Sequence, residues 1–252
     1  MTAPAVSTFS DAQLRELLDL IGDVDSVELK ATVPESAHLE AARALRIDPL
    51  DGQLRLVYFF DTPDLELHSG GLVLRARRIQ GRRGDSVVKM RPVVPRALPE
   101  SLRKDPRFTV ELDAMPGAFV CSGTLKRKVG NADVRAVVCG ASGIPELFSA
   151  GQRSLVEEHS RAGVFDDLTV LGPILVLKAG FAPEELDRRM VAELWLYPDG
   201  SRLLELSTKC EPRDAFYAAA QTRTLLGGNG IDLSGEHETK TRKALTFFAG
   251  RP

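Results

Sequence analysis

The sequence predicts an α+β fold: a closed antiparallel β-barrel of about eight strands, with charged faces turned into a polar lumen and α-helices covering the outside. Three observations predict it. Segments along most of the chain alternate charged with apolar residues at the period of two that a strand imposes. Their charged faces carry both signs, and a dry core does not tolerate unpaired ions. Between them lie helices with apolar stripes, which need an apolar sheet face to cover. An open sandwich with solvated charges satisfies the first two observations; the helices favour the barrel.

The elements follow in chain order. Residues 10–21 open with Ser10 and Gln13 at capping-box spacing and set Leu14, Leu17, Leu18 and Ile21 on one helical stripe. Residues 25–33 alternate Ser26, Glu28, Lys30 and Thr32 against Val27, Leu29, Ala31 and Val33. Pro34 and Glu35 suit the first turn of a helix reaching about residue 45. Residues 54–60 are β-prone and must stop at Asp61-Thr62-Pro63-Asp64, where proline fixes φ and aspartate can accept from nearby backbone amides.

Residues 71–91 read as a hairpin. Val73, Arg75 and Arg77 oppose Leu72, Leu74 and Ala76; after a turn over 80–85, Val87, Lys89 and Arg91 oppose Val88 and Met90. Residues 108–113 then add Thr109, Glu111 and Asp113 on one face. The rhythm breaks over 114–165, with glycines, a basic cluster at 126–128 expected as a solvated loop, an apolar run at 134–138 and a helix from 145 to about 159. This stretch is expected as an insertion within a single domain spanning 1–252. Strands resume at 174–181, with Val176 and Lys178 on one face, and continue as a hairpin of 191–196 and 202–210. The hairpin sets out Glu193 on one strand and Glu205, Ser207 and Lys209 on the other. Helices at 212–226 and 236–248 close the chain, the second carrying Lys240, Arg242 and Lys243.

Composition narrows the function. A formal net charge of -2 over 252 residues argues against a generic DNA or anionic-membrane binder, so any anion site is local. Cys121, Cys139 and Cys210 lack metal-ligand spacing and leave one thiol over in any disulfide scheme, which fits a reducing cytoplasm. The first residues lack the pattern of an export signal, and the longest uncharged run, 168–177, is too short for a bilayer; a cytoplasmic, soluble protein is expected. There is no Walker loop, dinucleotide fingerprint, His-Glu-x-x-His or Gly-x-Ser-x-Gly.

On the charged faces, Lys30, Arg75, Arg77, Lys89, Arg91, Lys178 and Lys209 stand with Glu28, Glu111, Asp113, Glu193 and Glu205. Such a lumen suits a polyanion, because arginine forks and lysines neutralise phosphates while carboxylates hold a hard cation that bridges phosphate oxygens. The motifs Ser26-Val-Glu28-Leu-Lys30, Tyr58-Phe-Phe-Asp61-Thr-Pro-Asp64, Gly71-Leu-Val-Leu-Arg75-Ala-Arg77, Lys89-Met-Arg91 and Glu205-Leu-Ser207-Thr-Lys209 resemble, in this order, the CYTH family of triphosphate tunnel metalloenzymes. The resemblance covers most strands between 27 and 210. It implies an eight-stranded antiparallel tunnel, Mg or Mn as cofactor, and phosphate contacts from Lys30, Arg75, Arg77, Lys89, Arg91 and Lys209, to which the charged strand face adds Lys178 as a substrate-binding residue. It also implies a catalytic role for Glu28 and Lys30.

Two positions depart from the family pattern. Ser26 stands where the opening Glu-x-Glu-x-Lys signature has its first glutamate, and Ser207 where a late Glu-x-Glu pair has its second. The resemblance therefore implies one metal, on Glu28 and Glu205 with help from Glu193. Three functions stay open at this point: hydrolysis of a small triphosphate or polyphosphate, cyclisation of ATP as in the family's adenylyl cyclases, and binding of a phosphorylated ligand without turnover.

Overall fold

The computed structural model describes residues 10–231 and 240–249. Nine strands close into one barrel in the order β1-β5-β6-β4-β3-β2-β7-β8-β9. They are β1 (Ser26–Val33), β2 (Gln53–Asp61), β3 (Leu72–Ile79), β4 (Gly84–Met90), β5 (Phe108–Met115), β6 (Ala118–Val129), β7 (Thr169–Phe181), β8 (Met190–Leu196) and β9 (Arg202–Cys210). The helices are α1 (Asp11–Ile21), α2 (His38–Ala44), α3 (Glu66–Ser69), α4 (Glu100–Arg103), α5 (Asn131–Val138), α6 (Ala150–His159), α7 (Ala215–Gly228) and α8 (Lys240–Ala249).

The expected eight-stranded, wholly antiparallel barrel is corrected in both respects. The ninth strand is β6, which lies within the stretch expected as an insertion and bonds to β4 on one side and β5 on the other. A closed ring with an odd number of strands cannot alternate direction throughout, so one seam must be parallel. That seam joins β1 to β5, from Ser26 opposite Glu111 to Leu29 opposite Ala114. Within 114–165 the barrel thus continues to Val129, and only the helical part beyond it lies outside the sheet. The 126–128 cluster sits on β6, not in a loop. Gly123 weakened the strand signal there, yet it is needed: a Cβ would fall 2.6 Å from the Phe108 ring.

The alternation read from the sequence sets the two faces. Outward residues Val27, Leu72, Leu74, Val88, Met90, Val110 and Leu112 pack with Leu17 of α1, Val134 and Val137 of α5 and Leu155 and Val156 of α6. Ala31, Val33, Ala192, Leu204 and Leu206 pack with Ala41 of α2 and Leu225 and Leu226 of α7. Ser10 and Gln13 form the anticipated capping box at α1. At the end of β2, buried Asp61 accepts from the amides of Thr62 at 2.8 Å, Leu67 at 2.9 Å and His68 at 3.0 Å, fixing the turn that leads into β3.

One helix departs from the expected arrangement. Phe59 lies opposite Arg75, Val57 opposite Arg77, and Trp195 opposite Val176 and Leu203, so these apolar side chains share the charged residues' face. They cluster with Ala244 and Leu245 of α8. The lumen is therefore polar on one side and apolar on the other, and α8 packs on its inner face. The part of the closing helix expected over 236–239 lies outside the described residues. Among the described residues no helix is long and apolar enough to cross a membrane.

Candidate functional site

Three groups of charges line the lumen. The first centres on Asp113, whose side chain has no exposed area. Its Oδ1 accepts from Lys30 at 2.7 Å, and its Oδ2 meets Lys89 at 3.1 Å and Arg91 at 2.8 Å. Burial would raise the Asp113 carboxyl, but Lys30, Lys89 and Arg91 outweigh it and hold the pKa far below the usual carboxylate range. Burial likewise opposes the Lys30 ammonium, and Asp113 with Glu28 overcomes it and raises its pKa. Lys89 goes the other way, lowered by burial and by the charges of Lys30 and Arg91 against the pull of Asp113. Glu28 pairs with Lys30 at 3.1 Å, and Lys209, half exposed at 52%, pairs with Glu111.

The second group holds arginines with too few anions. Arg77 is bound bidentately by Asp85, at 2.8 Å from Nε and 2.7 Å from Nη2. Burial would raise Asp85, but Arg77, Arg75 and Lys126 hold it down to about 2. Arg55, buried, donates to Gln53 at 3.0 Å and has an unpartnered Nε. Arg75 makes no hydrogen bond or ion pair among the described residues, and its Nε is buried without a partner. Burial and the neighbouring Arg77 charge push Arg75 down to about 10, so it stays cationic at neutral pH.

In the third group Lys178 meets Glu193 at 3.0 Å, as their opposite register on β7 and β8 requires. Lys240 of α8 donates to Glu193 at 2.5 Å and to Glu205 at 2.7 Å. Burial lowers the Lys178 ammonium. It also opposes Lys240, but Glu193 and Glu205 raise that ammonium's pKa.

All the residues expected from the sequence thus lie on the barrel's charged face, but not in one constellation. Glu28 meets Asp113 and Glu111: one carboxylate oxygen from each lies within 4.8 Å of the others. Glu193 and Glu205 instead share Lys240, and among the described residues no third carboxylate joins them as a ligand set. The donors at Glu28, Glu111 and Asp113 are the hard oxygens that Mg or Mn takes. Those carboxylates already face Lys30, Lys89, Arg91 and Lys209, so a divalent ion fits there together with an anion that draws the cations away.

No protein-family model matches the chain, and no curated protein matches its sequence. Solved structures do. A candidate adenylate cyclase from Bacillus halodurans superposes with a TM-score of 0.62 at 15% identity, over 86% of this chain and 96% of that one. A candidate adenylyl cyclase from Hippeastrum, described as having a dominant triphosphatase activity, superposes with a TM-score of 0.63 at 19% identity, over 87% and 95%. The chain has the triphosphate-tunnel, or CYTH, fold.

Sequence reasoning missed three residues of this tunnel's lumen as site members: Arg55, Lys240 and Asp85, the last assigned to the 80–85 turn although β4 begins at Gly84 and Asp85 binds Arg77 from it. Arg55 lies on β2, where both faces are apolar over most of the strand and alternation gives no face assignment; its only signal was a lone charge two residues before Val57. Lys240 had no local signal, because only the packing of α8 inside the barrel brings it to β8 and β9. Asp113 was on the expected face, but its role as common partner of three cations depends on contacts reaching over β6 to β4.

Proposed function

We propose that the tunnel binds a small triphosphate or polyphosphate together with a divalent cation, Mg or Mn, and hydrolyses it. The observation that carries this reading is Arg75, a cation with no hydrogen-bond or ion-pair partner among the described residues, which feels the charges of Arg77, Asp85 and Arg55. An unpaired buried charge costs stability unless a ligand supplies the counter-charge, and the guanidinium fork matches phosphate oxygens. A chain of phosphates extending from these arginines toward Lys30, Lys89 and Arg91 would also meet Lys178 or Lys209 at the lumen's edges. The cations are gathered in the lumen while the chain as a whole is slightly acidic, which supports a small ligand over DNA.

Glu28, aided by Glu111 and Asp113, would hold the divalent ion, and Lys30 beside it would neutralise charge on the transferred phosphoryl group. When bound, such an ion polarises phosphoryl oxygens and lowers the pKa of a coordinated water. Glu193 and Glu205, the other carboxylates expected at the metal, are engaged by Lys240. That engagement favours a second reading, binding without turnover. The triphosphatase activity described for the Hippeastrum protein supports hydrolysis over cyclisation.

The test is a screen of the purified protein for phosphate release and cyclic-nucleotide formation, with tripolyphosphate and nucleoside triphosphates, in Mg and in Mn. Phosphate release is expected. Cyclic nucleotide as the product would replace hydrolysis by cyclisation. Tight binding with neither product would leave a binding module, and no binding would contradict the proposal.

A further inference from the structure

The edge of the lumen formed by β8 and β9 carries a cation of its own. Glu193 and Glu205 lie directly opposite each other on these strands, an arrangement that repels unless a positive charge sits between them. Lys240 supplies it, bridging Glu193 Oε2 and Glu205 Oε1. Its position is set by packing. Ala244 and Leu245, one turn and more along α8, are buried with Val57, Phe59, Trp195 and Leu203. The Tyr197 hydroxyl donates to the Lys240 carbonyl at 3.1 Å, and the Lys240 ammonium lies 5.4 Å from the centre of the Trp195 ring. The other oxygen of Glu193 is taken by Lys178.

We infer that Lys240 is the resident cation of this edge, standing between Glu193 and Glu205 in the place a divalent ion would otherwise take. Both residues are then removed from the set that can ligate metal, and any ion must be held on the Glu28 side. A tethered ammonium needs no dehydration of a free ion from solution, whereas Mg gives up its waters reluctantly. Ser207 fits this arrangement; Ser26 lies instead opposite Glu111 at the β1–β5 seam. Ser207 follows Glu205 on the same face of β9, and Lys30 of β1 lies opposite it, so this part of the lumen holds an ammonium and a hydroxyl where further carboxylates would call for more metal. The inference deepens the proposed function and rests on its reading of the lumen as a phosphate site, but its test reads metal binding and melting.

Mn binding to the parent, Glu205→Gln and Lys240→Gln is followed by electron paramagnetic resonance, alongside thermal melts in EDTA and in Mn. The parent and Glu205→Gln should bind Mn equally, or both not at all, since Glu205 is already committed to the ammonium. Lys240→Gln should gain Mn affinity by about tenfold or more, the order by which ligand-shell changes move metal sites. Its melting temperature should fall in EDTA and recover in Mn, with no such recovery in the parent. Mn affinity that drops by about tenfold in Glu205→Gln would put metal on this edge in the parent and overturn the inference. A folded Lys240→Gln with no gain in Mn affinity would overturn it too. If Lys240→Gln does not fold, the Glu205→Gln comparison decides alone. A parent that binds no tripolyphosphate would sink the functional reading while leaving the Mn result standing.

Discussion

Asp113 binds Lys30, Lys89 and Arg91 through two oxygens and has no exposed side-chain area, which makes it the most consequential single residue of the lumen. Asp113→Asn keeps the shape and removes the charge. Three cations then face each other in a confined space, and breaking a buried pair in this way costs about 3–5 kcal/mol. Chemical denaturation of the variant should show that loss. Arg75 behaves oppositely. Replacing it with Met removes a cation that lies beside Arg77 with no acid partner among the described residues, and should raise ligand-free stability by about 1 kcal/mol, the low end of the gain seen when apolar residues replace buried ions. A third consequence concerns pH. Asp85 is held down to about 2 in the fold against 3.8 unfolded, so it adds stability above about pH 4 that is lost as pH falls through its folded value. Asp113 is shifted in the same direction. Melting temperature measured down the pH scale should therefore fall between about pH 4 and 2, and Asp85→Asn should flatten part of that fall.

Among the elements, β6 and α6 show how a segment without clear periodicity becomes part of the frame. α6 is tied to the outer face of the barrel by Gln152, fully buried, which donates to the carbonyls of Ser86 at 3.3 Å and Leu125 at 3.0 Å and, through its oxygen, accepts from the Ser149 amide at 2.9 Å. Gln152→Leu leaves those groups unsatisfied and should cost about 1–3 kcal/mol in denaturant unfolding, with tripolyphosphate affinity unchanged because the lumen lies on the other face. The charged faces of β1, β3, β4, β5, β8 and β9 could be read from sequence because alternation of charged and apolar residues is a local property of each strand. β6 could not. Its lumenal side carries Val120, Ser122 and Thr124, its outer side includes Gly123, and its far end carries three consecutive cations, so no period of two stands out. The burial of α8 inside the barrel was equally hidden, since an apolar stripe specifies that a helix is covered and says nothing about which face of a sheet covers it.

For the molecule as a whole, the closed barrel brings together charges that sequence order keeps far apart, and the resulting imbalance is the basis of the functional reading. Carboxylates suffice for Lys30, Lys89, Arg91, Lys178, Lys209 and Lys240, while Arg55 and Arg75 have no acid partner among the described residues. The fold class, the inward charges and most of the lining residues followed from alternation. The strand number, the parallel seam and the division of the carboxylates between Glu28 and Lys240 did not, because each is fixed by contacts between distant segments. The most direct test of the central claim is calorimetric titration of tripolyphosphate into the parent, Arg75→Met and, as a control for net charge, Arg46→Met, whose side chain is 85% exposed. Binding to the parent and to Arg46→Met with equal affinity, and binding to Arg75→Met weaker by about tenfold or more, is the result predicted from the loss of a charge-assisted contact. Equal affinity for the parent and Arg75→Met would contradict it.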